Sequence, residues 1–291
     1  MFFSSFVFMM ISFFIIKFYY GINLFTDTNI LSDFNNPAVI KSMKILQVLS
    51  GGLGLFIIPA FVAAYFFDNN YFVYLQLKKR AALISFLLVV IILFASMPFI
   101  NWMVEANSHL KLPAALSSLE QWMKNSEEEA TRLTEAFLEG SSMTSLLTNI
   151  FIVALLPALG EELFFRGIMQ KLFSQMIKNN HAAIFITSFI FSAIHLQFYG
   201  FLPRMVLGIF LGYLLVWSGS LWLPILAHFI NNAAAVVFNF LAQNDKIGFN
   251  PDTVGTGADE KIMLLSSIAI TFFLIYLIFK IEKRYSHRFT D

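Results

Sequence analysis

The chain has 291 residues, of which 58% are hydrophobic, 17% aromatic and 13% charged, with a formal net charge of +1 and a mean hydropathy of +0.73. A soluble domain carries about 25% charged residues, so this chain cannot cover a water-soluble globule and is expected to be an integral, multi-pass membrane protein with the lipid bilayer as its solvent. The near-neutral charge predicts no nucleic-acid partner. The absence of cysteine excludes disulfides, thiol catalysis, thiolate metal sites and S-acylation, and leaves the redox compartment open.

The first apolar run, MFFSSFVFMMISFFIIKFYY, has no basic residue ahead of it and no small-residue cleavage pattern, so it is expected to be a retained helix and not a signal peptide. Runs long enough to cross the hydrocarbon core predict an all-α protein of eight transmembrane helices, at about 2–20, 44–67, 81–103, 144–166, 182–200, 203–217, 221–241 and 262–281. Their continuous apolar composition argues against a barrel. Three regions follow: N-terminal helices with an acidic extramembrane segment (1–143), a core (144–241), and a loop with the last helix and a basic tail (242–291). The polar segment 104–143, containing SEEEATRLTEAFLEG, spaces its apolar residues as short amphipathic surface helices do. It serves either as a solvated linker or as a substrate gate.

Orientation is read from Lys and Arg next to helix ends. Lys78, Lys79 and Arg80 precede the third span, Arg166, Lys171 and Lys178 follow the fourth, and Lys280, Lys283, Arg284 and Arg288 follow the eighth. Eight spans bring these clusters to one side, expected to be the cytoplasmic face of a bacterial plasma membrane, with the C-terminus there too. Lys17 runs mildly against this, and a first segment that does not fully cross leaves the core topology unchanged. Gly208 and Gly212 form a GxxxG spacing that lets helix backbones approach, expected inside the chain and not at a dimer interface. Trp102, Trp217 and Trp222 fall where interfacial aromatics belong.

Charged side chains at mid-bilayer cost about 2.5–3.5 kcal/mol each, so they should face a cavity or one another. The stretch LPALGEELFFRG carries Glu161, Glu162 and Arg166; FSAIHLQ carries His195; AHFINN carries His228, Asn231 and Asn232. Residues four apart share a helix face and adjacent ones diverge by about 100°, so Glu162 pairs with Arg166 and Glu161 is left unpaired, as a general base requires. Phe191 buttresses His195 by the same spacing. His228 and Asn232 aim two donors at one place, which suits the oxyanion of a tetrahedral intermediate; Asn231, turned away, supports packing or a backbone carbonyl. Pro157 cannot donate to the Val153 carbonyl and should loosen the helix before the charged turn, while Gly160 adds room beside Glu161. One tension stands: at the drawn boundaries Glu161 and His228 lie about 8–11 Å from their cytoplasmic helix ends and His195 about 20 Å from its own.

EELFFR, FSAIH and HFINN resemble the three motifs EExxxR, FxxxH and HxxxN of the CAAX protease and bacteriocin-processing (CPBP, or Abi) family of intramembrane endopeptidases, over about residues 144–241. The resemblance implies a CAAX-protease-like helical core that hydrolyses a peptide bond of a membrane-associated, CAAX-type protein or peptide. In that reading Glu161 activates water with His195 assisting, His228 and Asn232 are the oxyanion donors, and Glu162, Arg166 and Phe191 support them. No cofactor is expected, because HExxH is absent and no two histidines sit four apart on one helix; a zinc ion, if bound, would be held by Glu161, His195 and His228. The residues also admit a buried hydrogen-bonded network without chemistry, a transporter or proton relay, and a non-catalytic immunity or scaffold protein. The substrate's identity is not legible.

Overall fold

With no water to satisfy backbone groups inside a bilayer, apolar segments satisfy them internally as helices, and among the described residues every regular element is helical. The computed structural model describes residues 1–26, 28–109 and 112–287. Leu110 and Lys111 of the polar segment, and Arg288 of the basic tail, lie outside the described residues.

The longer helices are α1 (Phe2–Tyr20), α2 (Pro37–Phe67), α3 (Leu83–Ala95), α4 (Met97–Ser108), α5 (Ser117–Leu138), α6 (Met143–Ile177), α7 (Asn180–Ala193), α8 (Phe201–Ser218), α9 (Trp222–Gln243) and α10 (Lys261–His287). Among the described residues six are long and apolar enough to cross a membrane, or seven if the bent pair α3 and α4 is one span, with the 14-residue α7 as a shorter apolar helix. The protein is thus a polytopic membrane protein. Large side chains such as Phe2, Phe66, Leu83 and Ile262 point outward from the bundle, as a surface solvated by lipid permits.

Four of the departures from the sequence reading bear on the site. The third span is bent by 47° where α3 meets α4, because Pro98 in the first turn of α4 cannot continue the hydrogen-bond ladder. The acidic segment holds one 22-residue helix, α5, in place of several short ones. α6 runs on to Ile177, well past 166, and ends where Lys178 turns left-handed. α7 stops at Ala193 instead of 200. The two last differences bring Glu161 and His195 to a similar depth: Glu161 lies about 24 Å from the end of α6 and α7 is about 21 Å long, while His228 stays about 9 Å from the start of α9.

One core joins α2, α6 and the start of α9 through Ala60, Ala64, Leu163, Ile168 and Leu221. A second joins α3, α8, α9 and α10 through Val89, Leu211, Leu214, Leu223 and Ile278. At one end of the bundle, Ser220 Oγ donates to the Lys79 carbonyl (2.8 Å), Lys171 Nζ to the Tyr74 carbonyl (3.1 Å), and Ala82 N to Glu282 Oε1 (3.1 Å). The basic residues 78–80, Lys171 and the end of α10 are therefore neighbours.

Candidate active site

A stripe of α6 carries Glu162, Arg166 and Gln170 at intervals of four, the spacing that stacks side chains on one helix face. Arg166 Nη1 donates to Glu162 Oε1 at 2.8 Å, with both side chains fully buried. Arg166 Nη2 then donates to the Gly208 carbonyl (3.3 Å) and Gln170 Nε2 to the Gly212 carbonyl (3.2 Å), so a step of four on α6 meets a step of four on α8. Glycine is required for that approach: a Cβ at 208 would lie 3.0 Å from Ser188 Cβ of α7, and one at 212 would lie 2.9 Å from both Gln170 Oε1 and Ile184. The GxxxG spacing packs inside the chain. Gln170 was missed in the sequence, although its place four residues after Arg166 was the readable signal.

Glu162 Oε1 also accepts from His228 Nδ1 at 2.8 Å. The carboxylate accepts only, so Nδ1 carries the proton and Nε2 is the nitrogen left to act. Nε2 lies 3.9 Å from Glu161 Oε2. Glu162 thus fixes both Arg166 and the ring of His228, a wider role than the i,i+4 pair foreseen. The Phe191 ring stands edge-on to His195 (5.1 Å) and His228 (5.9 Å), with the Arg166 guanidinium 4.5 Å over it. It buttresses both imidazoles.

His195 sits just beyond α7, and its own side chain ends the helix. His195 Nδ1 donates to the Phe191 carbonyl (2.7 Å), the group its backbone N–H would take in a continuing helix, while that N–H turns to the Ser192 carbonyl (3.4 Å). Leu196 then adopts φ 53°, a left-handed conformation that costs about 1–2 kcal/mol for a side-chain-bearing residue. The following loop is held by α4 and α5: Asn107 Nδ2 donates to the Phe198 carbonyl (2.8 Å), the Tyr199 N–H donates to Glu127 Oε2 (3.3 Å), and Trp122 packs on Phe198. With Nδ1 engaged, Nε2 of His195 is its free acceptor.

Pro157 leaves the Val153 carbonyl without its usual i+4 donor, and the preceding turn, Ile150–Leu155, is π-helical. Asn232 Nδ2 of α9 donates to that carbonyl at 3.3 Å, so the proline creates the acceptor that orients the amide. Asn231 Nδ2 donates to Asn232 Oδ1 (3.1 Å) and fixes which end of the amide faces Val153. The expectation that Asn231 only packs or meets a backbone carbonyl is corrected accordingly. Gly160 gives no room to Glu161: a Cβ there would lie 3.1 Å from Phe56 and 3.3 Å from Ile57, so it serves the contact with α2.

Glu161, His195, His228 and Asn232 all line one cavity of about 570 Å³, with Asn231 and Phe191 beside them. Glu161 is the acid in it without a salt bridge among the described residues closer than its 3.9 Å approach to His228. The cavity is roofed by Leu133, Thr134, Phe137 and Leu138 at the end of α5, so it draws on both sides of the boundary at 143. Arg204 and Gln197 also line it; neither was singled out from the sequence, since their approach to the motifs depends on the turn after His195. Among the described residues no group of three or more His, Asp or Glu side chains is arranged to hold a metal ion.

Residues 143–234 match the family model described as Type II CAAX prenyl endopeptidase Rce1-like, a segment running from the start of α6 into α9 that contains all three motifs. Over 91 residues the chain is 31% identical to "Uncharacterized protein YpbD" of Bacillus subtilis (strain 168); the alignment covers 30% of this chain and 43% of that protein's length. No solved structure matches the chain.

Proposed function

We propose that this membrane protein, Rce1-like over residues 143–234, is an intramembrane endopeptidase that uses water activated by Glu161 to cut a membrane-associated, CAAX-type protein or peptide. The observation that carries the reading is the meeting of Glu161 of α6, His195 beyond α7, and His228 and Asn232 of α9 around one cavity. A water held between Glu161 and Nε2 of His195 gives its proton to the Glu161 carboxylate, and its oxygen adds to the substrate's carbonyl carbon. The carbonyl oxygen takes the negative charge and is met by the amide N–H of Asn232 not engaged with Val153. His228 adds a second donor by taking up a proton from cavity water at Nε2 and returning it to water as the products leave, its imidazolium stabilised through Nδ1 by Glu162. The C–N bond then breaks, the nitrogen taking the proton from Glu161, and the products are a carboxylate and an amine. Arg166, Glu162 and Phe191 position these groups. No cofactor takes part in this scheme.

The close grouping of the basic residues 78–80, Lys171 and the end of α10 supports a cytoplasmic location for that end and for the C-terminus, in a bacterial plasma membrane. The end of the acidic α5 forms part of the cavity wall.

The test is mass-spectrometric mapping of new peptide termini when the purified chain, reconstituted in lipid vesicles, meets a membrane-peptide pool. New termini are expected with the unaltered chain and not with Glu161→Gln. Identical termini from both proteins would refute the assignment of the base, and no new termini from either would refute the peptidase.

A further inference from the structure

The link between α2 and α3 carries Lys78, Lys79 and Arg80 in succession, all exposed, and the packing holds it in place. Gln76 turns left-handed (φ 56°), its carbonyl accepts from the Leu221 N–H (3.3 Å), the Leu77 carbonyl from Trp222 Nε1 (2.9 Å), and the Lys79 carbonyl from Ser220 Oγ (2.8 Å). The side chain of Lys79 is seated as well: it lies on Gly219, where a Cβ would come 3.3 Å from both Cδ and Nζ. Across from it, the Lys171 ammonium of α6 stands 3.5 Å over the Tyr74 ring and donates to the Tyr74 carbonyl (3.1 Å), which leaves two of its three N–H groups over. Lys79 and Lys171 are close enough to repel each other. Among the described residues neither they nor Lys78 and Arg80 have a carboxylate within 4.0 Å. Asp68, the acid that acts on Lys171, accepts from the Asn70 N–H (2.8 Å). The carbonyl end of α8 draws Lys79 to its place, but a partial charge does not neutralise two full ones.

The surroundings select the anion. Phe72 and Val73 before the three cations and Leu83 and Ile84 after them are exposed, so the link leaves and re-enters surface that lipid tails cover, and its cations stand where headgroups lie. Phe61, Val62, Tyr65 and Phe66 of α2 and Tyr71 line an apolar groove of about 330 Å³. Tyr71 opens the short helix Tyr71–Tyr74, which joins this groove to the ring that seats Lys171. We propose that this end of the bundle binds one anionic phospholipid, its phosphate between Lys79 and Lys171 and an acyl chain in the groove of α2. A zwitterionic headgroup brings its own cation toward two that already repel, whereas a net negative one relieves the repulsion. The site requires nothing of the peptidase chemistry.

The experiment titrates the full-length chain in neutral detergent with dioleoyl phosphatidylglycerol, dioleoyl phosphatidylcholine or dihexanoyl phosphatidylglycerol, counts bound lipids by native mass spectrometry, and uses inorganic phosphate as a competitor. Dioleoyl phosphatidylglycerol should bind about tenfold more tightly than the phosphatidylcholine, as two cations at the membrane surface imply. K79Q should bring the two lipids within about twofold of each other, and K79R should keep the preference. K246Q, beyond the far end of α9 and about 33 Å away, should leave it unchanged. Dihexanoyl phosphatidylglycerol should bind more weakly than the dioleoyl lipid, because its chains fill less of the groove. Equal binding of the two dioleoyl lipids, a preference that survives K79Q, or the same loss in K246Q overturns the proposal. So does displacement of the dioleoyl lipid by an equal concentration of dihexanoyl phosphatidylglycerol or inorganic phosphate, which would show a phosphate site in place of a lipid site. If the unfolding midpoint of K79Q falls, K78Q/R80Q carries the test with Lys79 in place: a preference reduced about threefold supports the site, and an unreduced one overturns it.

Discussion

Two faces of one turn of α6 put the same functional group to different uses. On one face Glu162 is fully buried and one of its oxygens accepts from both Arg166 and His228; on the other, Glu161 faces a cavity and its nearest partner is 3.9 Å away. Adjacent residues on a helix diverge by about 100°, so a single dipeptide supplies a carboxylate that ties α6 to α9 and another left free to react. A buried charge needs a counter-charge to be tolerated, which Glu162 has in Arg166 at Oε1 although its Oε2 has no partner, whereas a base needs a vacancy for the proton it will take.

The strongest way to break this comparison is to remove the partnered acid. Glu162→Ala leaves Arg166 buried and uncompensated and should cost about 3–5 kcal/mol of stability, read by denaturant unfolding followed by circular dichroism; a loss below about 1 kcal/mol would mean the pair is not the fastening argued above. Asn232→Ala should lower kcat about 100-fold or more with little change in KM, since one donor to a developing oxyanion is removed; a pure KM effect would move Asn232 from the reaction to substrate binding. Gly212→Ala sharpens the structural side: its Cβ would press on Gln170 and Ile184, and about 1–3 kcal/mol of destabilisation is expected, measured by the same unfolding. Asn231→Ala releases the amide of Asn232 and should reduce kcat about tenfold, about 1.4 kcal/mol, leaving unfolding unchanged. Treatment with 1,10-phenanthroline should leave peptide cleavage unaltered, and loss of activity restored by zinc would require a metal at Glu161, His195 and His228.

The two faces were legible in the sequence to different depths. The Glu162–Arg166 contact follows from i,i+4 spacing alone, as does the contact of Phe191 with His195. That Glu162 also holds His228 was not legible, because the contact joins residues 66 positions apart and depends on how α9 packs on α6. The end of α7 was hidden for a different reason: Ile194, Leu196, Phe198 and Phe201 keep the sequence apolar through the turn, so composition continues where the backbone does not. What ends the helix is the side chain of His195 taking the Phe191 carbonyl, a competition that periodicity cannot show. The roofing of the cavity by α5 is likewise non-local, while the role of Pro157 was half visible: the unsatisfied Val153 carbonyl follows from the residue type, and its capture by Asn232 only from the packing.

The central claim is that Glu161 does the chemistry that Glu162 only supports, and the isosteric pair Glu161→Gln and Glu162→Gln tests it most directly, with kcat/KM on one cleaved peptide and the unfolding midpoint measured for both in the same vesicles. Glu161→Gln should lose about 1,000-fold in kcat/KM with its midpoint held, and Glu162→Gln should show a clear fall in the midpoint. Full activity in Glu161→Gln, or a midpoint that falls there and holds in Glu162→Gln, would contradict the division of labour between the two carboxylates.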